Sequence, residues 1–256
     1  MVIKRLSCVF RLSDGCMSRL LTGSEASFLV DGIARRHEFK PGGYFVLTDL
    51  TEGDHEIEIT AAGYQPEHIS SNVDYGVDGV HVRNIALNPS DCHPAAGRYP
   101  AVCGIAPGVE SLALVRPVGH MRVAEERSEK GAVEIRMFSE GKTPAMPLEF
   151  LLGKGSTAEF VTFTGGSGGV YQTAFPMKHS HSRSETAQPL IRLNCSADGG
   201  FYLLLPGIFC PDISTGMITL RFAALKKGKP VYSTVSIPSA GKNDVGTLKF
   251  KEEKNG

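Results

Sequence analysis

Tryptophan is absent from this 256-residue chain, and so is net charge: 27 Lys and Arg stand against 27 Asp and Glu. A protein that grips nucleic acid by its phosphates needs a basic excess, so the balance argues against that class. Long apolar runs are also missing. No stretch approaches the roughly 18 apolar residues of a spanning helix, and no membrane partner is expected. The start, Met1-Val-Ile-Lys-Arg-Leu-Ser-Cys-Val-Phe10, is basic, but Arg11, Asp14 and Arg19 interrupt the apolar core that an export signal needs. A cytoplasmic location is the expectation, and reduced thiols follow for Cys8, Cys16, Cys92, Cys103, Cys195 and Cys210. Cys92 and Cys103 are the pair a disulfide would join. Sustained helical periodicity is scarce, whereas glycine (29) and proline (15) are abundant. The expected class is all-β.

The most informative stretch runs from Pro41 to Tyr64. Tyr44-Phe-Val-Leu47 is a short apolar run bounded by Pro41-Gly42-Gly43 and by Thr51-Glu-Gly-Asp54. Glu56, Ile57, Glu58, Ile59 and Thr60 then alternate, which places both isoleucines on one face of a strand and both glutamates on the other. Cys8, Phe10 and Leu12 share a face of a first strand, and Ser27–Val30 is a second. Asp31-Gly32 is a tight-turn pair, because glycine readily adopts positive φ.

This spacing resembles the carboxypeptidase regulatory-like domains, which are transthyretin-like sandwiches. The matching positions are Gly43, Tyr44, Phe45, Asp49, Leu50, Gly53, His55, Gly63 and Tyr64, with Thr51 where proline is usual and His55 where tyrosine is usual. The resemblance covers roughly residues 1–90 and implies a noncatalytic fold unit. Asp198-Gly-Gly-Phe-Tyr-Leu-Leu-Leu-Pro-Gly207 repeats the hairpin pattern, and Met217–Phe222 repeats the alternating strand. The expected fold is therefore two antiparallel β-sandwiches (transthyretin/Ig-like) joined by a short linker. They span residues 1–90 and 131–256, with a linker carrying short strands over 91–130. The segment 65–80 reads as a loop, 81–87 as a closing strand, 164–188 as a polar loop insertion and 251–256 as a solvated tail.

Candidate chemistry is sparse. His179-Ser-His181 offers alternate histidines that could share a metal, with His120 a further candidate. Intradiol dioxygenases, on a related sandwich, use such a pair with two tyrosines, but no tyrosine pair is placed here, and the Ser-rich surroundings read as a solvated loop. Cys92-His93 with Cys103 has irregular spacing and lacks a fourth ligand. Gly153-Lys-Gly-Ser-Thr157 lacks the spacing and the following helix of a phosphate loop. Glu56 and Glu58 read as a hydrated sheet face. The Y-R-G-S ending of hydroxyisourate hydrolases and a G-x-S-x-G elbow are both missing. The expectation is no catalytic residues, no metal, no cofactor and no enzymatic activity.

Leu29-Val-Asp-Gly32, Lys40–Val46, Asn88-Pro-Ser90 and Tyr99-Pro100 also resemble proteins encoded within phage-tail-like contractile injection systems. That resemblance implies a structural or accessory component whose partners are protein subunits of a larger particle. Two alternatives stand beside it. One is a carbohydrate- or surface-binding adhesin-like sandwich using Tyr75, Tyr99 or Tyr171. The other is a metal-dependent enzyme using His179 and His181.

Overall fold

Strands dominate because the apolar residues recur at every second position, and short turns rich in glycine reverse the chain. The structure, a computed structural model, describes residues 4–17, 19–76, 82–139 and 148–253. His81, residues 77–80 and residues 254–256, parts of the strand, loop and tail expected from the sequence, lie outside the described residues. Among the described residues there is no α-helix, and no helix is long and apolar enough to cross a membrane. The chain divides into two compact units, Met1–Tyr99 and Pro100–Gly256.

The first unit runs β1 (Leu6–Asp14), β2 (Ala26–Val30), β3 (Ile33–Arg35), β4 (Glu38–Lys40), β5 (Tyr44–Thr48), β6 (Gly53–Ala61), β7 (Glu67–Val73) and β8 (Val82–Leu87). One sheet has the order β4-β5-β1-β8 and another β3-β2-β6-β7. Cys8, Phe10 and Leu12 share one core with Phe28, Phe45, Leu47, Ile57 and Ile59. The rings of Phe10 and Phe28 stack at 5.8 Å, and Phe28 meets Phe45 at 5.8 Å. Each such ring contributes about 1.5–3 kcal/mol when fully buried. Asp31 (φ 52) and Gly32 (φ 76) form the two-residue β2–β3 turn. The segment read as a loop after Tyr64 contains β7, whose edge position lets its outer face stay polar.

The second unit opens with β9 (Ala101–Ile105) and β10 (Ser111–Val115). Then come β11 (Met121–Val123), β12 (Arg127–Ser128), β13 (Glu134–Ser139), β14 (Leu148–Leu152), β15 (Glu159–Ser167), β16 (Val170–Thr173), β17 (His181–Ser182) and β18 (Thr186–Leu193). It closes with β19 (Gly200–Leu204), β20 (Met217–Lys226), β21 (Lys229–Pro238) and β22 (Lys242–Thr247). Residues 91–130, expected to link two domains, are distributed differently. Residues 91–99 belong to the first unit, and β9 and β10 are integral strands of the second.

The pairings of the first unit recur in the second. β1 pairs antiparallel with β5 and parallel with β8; β9 does the same with β19 and β22. β2 lies antiparallel to β3 and β6, as β10 does to β18 and β20. β6 pairs with β7 as β20 pairs with β21. What differs is the connection from the second strand to the third. In the first unit it is Asp31-Gly32; in the second it is the whole stretch from Arg116 to Pro189.

That insertion is a closed six-stranded barrel in the order β11-β13-β16-β15-β14-β18, shut by pairing of β11 with β18. Met121, Val123, Ile135, Met137, Phe150, Leu152, Val161, Phe163 and Tyr171 fill it. Closure leaves the ring of barrel strands without a free edge. The 164–188 stretch, read as a loop insertion, instead contains all of β16 and β17, the end of β15 and the start of β18. Its glycines make the β15–β16 hairpin: Gly168 (φ 59) and Gly169 (φ 82) are the turn between Ser167 and Val170. Outside the barrel, Leu151, Ala158 and Phe160 pack on Ala113, Val115, Leu190 and Ala223 of the neighbouring sheet.

Candidate functional site

Two histidines drew notice in the sequence, and the structure separates them. His181 on β17 is fully buried, and carboxylates occupy both of its ring nitrogens. Its Nε2–H donates to Glu159 Oε1 at 2.9 Å and its Nδ1–H to Glu185 Oε2 at 2.9 Å. With both nitrogens facing acceptors, the ring is an imidazolium. Glu159 opens β15 with the inward parity of Val161 and Phe163, so this group sits at one end of the barrel interior. Glu159 also accepts the backbone N–H groups of Lys178 and His179.

Burial alone pushes the Glu159 carboxyl up, but the His181 bond and the two amide bonds outweigh it and hold the group below its ordinary range. Burial likewise pushes His181 down, and the Glu159 and Glu185 bonds outweigh it and raise it. Gly153 makes room for the ring: a Cβ there would lie 3.0 Å from His181 Cε1, and its φ of 82 favours glycine. The two carboxylates lie on opposite edges of one imidazole, so they cannot converge on an ion. Among the described residues no group of three or more His, Cys, Asp or Glu side chains is arranged to hold a metal. His179 enters the arrangement only through its backbone N–H. His120 donates to the Arg116 carbonyl at 2.9 Å.

A second buried group lies in the first unit. Asp14 ends β1 and is 1% exposed. Its Oδ1 accepts the backbone N–H groups of Cys16 and Met17, and its Oδ2 accepts Tyr64 O–H at 2.9 Å and His93 Nε2–H at 3.0 Å. His93 Nδ1 in turn accepts the Ala95 N–H, which fixes the neutral Nε2–H tautomer. His93, weighed as a zinc ligand with Cys92 and Cys103, is thus the residue that ties 91–95 to the sheet. Cys92 is exposed, and among the described residues no disulfide joins any two cysteines.

The third group is at the β2–β3 turn. His55 donates through Nε2–H to the Thr51 carbonyl at 2.8 Å and through Nδ1–H to Asp31 Oδ2 at 2.6 Å. The Thr51 carbonyl, then Asp31, raises the His55 pKa. A histidine raised on folding stabilises fully below its unfolded value near 6.5, and that contribution is lost as pH rises through the folded value. The Asp31→Asn variant is therefore expected to flatten the decline of first-unit stability between pH 6 and 8. Melting curves of both proteins across that range read it, and an unchanged decline would refute the assignment.

The tyrosines considered as a binding platform do not gather. Tyr171 is inside the barrel, Tyr75 bonds Ser7 and the Leu50 carbonyl, and Tyr99 is 38% exposed at the end of the first unit. Glu56 is exposed and Glu58 half-buried on the outward face of β6.

No family model and no curated protein matches the chain. Among solved structures it is similar to a DUF3823 family protein from Bacteroides ovatus, at 10% identity and a TM-score of 0.24 over 91% of this chain and 98% of that one.

Proposed function

We propose that the chain is a noncatalytic structural or accessory module, two related transthyretin-like β-sandwiches of which the second carries a barrel as its interaction surface. The observation that carries this reading is the placement of the barrel. A complete closed unit occupies the position where the first unit needs only Asp31-Gly32. Such an elaboration at a hairpin tip leaves the parent sheets intact and adds surface. Val133, Phe138 and Phe175 of the insertion are 52%, 58% and 78% exposed. Apolar side chains left in water on an otherwise well-packed element favour a protein partner. The buried histidines support a structural role, since their ring nitrogens are engaged by groups of their own unit.

The resemblance to proteins encoded with phage-tail-like contractile injection systems makes particle subunits the partners to test first. The chain is expected to co-sediment with a particle assembled from its genomic neighbours. The Phe138→Asp/Phe175→Asp variant is expected to associate at least tenfold more weakly while keeping its circular dichroism spectrum. Particles of unchanged composition and assembly without the chain, or full association of the charged variant, would reject the reading.

A further inference from the structure

We propose that the two arms covering one end of the barrel, residues 124–131 and 174–185, form a flap latched by His181, and that loss of the imidazolium proton opens the flap while the barrel stays closed. At that end β11, β14 and β16 finish and β13, β15 and β18 begin. The arms join β11 to β13 and β16 to β18. Their own strands, β12 and β17, pair only with each other as a separate two-stranded ribbon. Releasing them therefore breaks no pairing of the barrel wall. The arms also hold one another. Gly131 N–H donates to the Met177 carbonyl at 2.8 Å, Met177 N–H to the Ala132 carbonyl at 3.0 Å and Arg183 N–H to the Glu126 carbonyl at 3.0 Å. Ser180 Oγ accepts the Lys130 N–H and donates to Glu129. Bonds of this kind let the two arms open as one cooperative piece. Met177, carried by one arm, is 2% exposed and fills part of the barrel core, so opening uncovers apolar interior.

Glu159 on β15 ties the flap down: it accepts the N–H groups of Lys178 and His179 and the His181 ring. Glu159 faces the ring from the barrel and Glu185 from the flap's own arm. β14 presents Gly153 to the ring and β12 pairs Ser128 with it, and neither carries a charge. A neutral imidazole has a single N–H. Either tautomer leaves the buried Glu159 carboxylate without its counter-charge, and a carboxylate in that state gains by reaching water. Burial opposes protonation of His181, but the Glu159 and Glu185 bonds outweigh it and raise the pKa in the closed flap. Closure is therefore favoured fully below 6.5 and weakens as pH rises through the folded value. Phe175, 78% exposed, rides on the same flap, so opening moves the apolar surface assigned to a protein partner. That consequence rests on the partner-binding reading of the barrel; the flap itself does not.

Hydrogen exchange of the full-length protein alone, corrected for the intrinsic rate, tests the flap without any partner. Between about pH 6 and about pH 9, protection of peptides in 124–131 and 174–185 is expected to fall by about tenfold, the order of a typical coupling between linked equilibria, while peptides in β14, β15 and β18 change less than about twofold. The Glu185→Gln variant keeps an acceptor for the Ser182 N–H but removes one charge beside the ring. Its loss of protection is expected to be smaller and to level off at lower pH than in wild type. Constant flap protection across the range overturns the proposal. So does equal loss in the flap and the barrel strands, which is unfolding of the barrel and not the opening of a flap. A Glu185→Gln profile that superimposes on wild type overturns it too. Should that variant fail to fold, the ring protons of His181 in the wild-type protein, followed by NMR, decide. Loss of protection that levels off at the ring's own titration midpoint supports the latch, and loss that continues past it overturns the latch.

Discussion

Replacing His181 with alanine is expected to destabilise the second unit by about 3–5 kcal/mol, the range for breaking a buried ion pair by removing one partner. The size follows from what is left behind. His181 is fully buried and Glu159 is 5% exposed. Without the imidazolium, Glu159 keeps its two backbone N–H donors but loses its only counter-charge. Glu185 is less affected, being 26% exposed and still accepting the Ser182 N–H. Glu159→Gln alone is expected to cost less than His181→Ala, because glutamine retains a carbonyl for the amides and the ring stays paired with Glu185. The double variant His181→Ala/Glu159→Gln should be more stable than His181→Ala alone, since no buried carboxylate is then unpaired.

The pH profile carries the same information. Glu159 is lowered on folding, so its contribution is present above the ordinary value of 4.5 and is lost as pH falls through the folded value. His181 is raised, so its contribution is present below 6.5 and is lost as pH rises through the folded value. The pair therefore stabilises most between about pH 4.5 and 6.5. Hydrogen exchange measured by mass spectrometry, with first-unit peptides as internal control, separates the units. A loss under about 0.5 kcal/mol, as for an ordinary surface substitution, would show that the ring is not the keystone of the barrel end.

How much of this was legible in the sequence depends on where the side chains point. The first unit's core was readable because Cys8, Phe10 and Leu12, and Ile57 and Ile59, obey the two-residue period. The repeat of the hairpin was readable for the same reason in Phe201 and Leu203. The barrel was not. Its strands pass through glycine at Gly165 and Gly166 and proline at Pro189, which read as breakers. It also separates β10 from its partner β18 in sequence, so the expected second unit began at residue 131 and left β9 and β10 in the linker. β7 was not legible because only Ile69 and Val73 of its seven residues are apolar, and one of its two fully buried positions is Ser71.

At the sites, the sequence offered His179 and His181 as equals, since alternation assumes a strand, yet β17 begins at His181. The partner was available in Ala158-Glu-Phe-Val-Thr-Phe163. The parity that buries Val161 and Phe163 also turns Glu159 inward, and an inward carboxylate demands a cation. Similarly, His55 on β6 and Asp31, at the turn that follows the neighbouring strand β2, form a pairing that only the β2–β6 register reveals.

Removing the Asp14 carboxylate is expected to have an effect of the same order in the first unit. Asp14→Ala leaves four donors without their acceptor: the N–H groups of Cys16 and Met17, the Tyr64 hydroxyl and His93 Nε2–H. Charge-assisted hydrogen bonds contribute about 1.5–3 kcal/mol each, and water entering the gap recovers part of that, so a loss of about 3–5 kcal/mol is expected. Asp14→Asn divides the network. Its carbonyl can still serve the two amides, but its NH2 group faces a ring nitrogen that already donates. His93 cannot simply change tautomer, because Nδ1 is committed as acceptor to Ala95. The asparagine variant should therefore release residues 91–99 selectively, seen as faster proteolysis or exchange there while the β-sheet amides stay protected. Burial pushes the Asp14 carboxyl up, but the Met17 and Cys16 amides, then Tyr64 and His93, outweigh it and lower the pKa. Its contribution is thus present above 3.8 and is lost as pH falls through the folded value. Wild type should lose first-unit stability on acidification below that point more steeply than Asp14→Asn. Parallel acid profiles of the two proteins would mean that the carboxylate is not what binds this segment to the sheet.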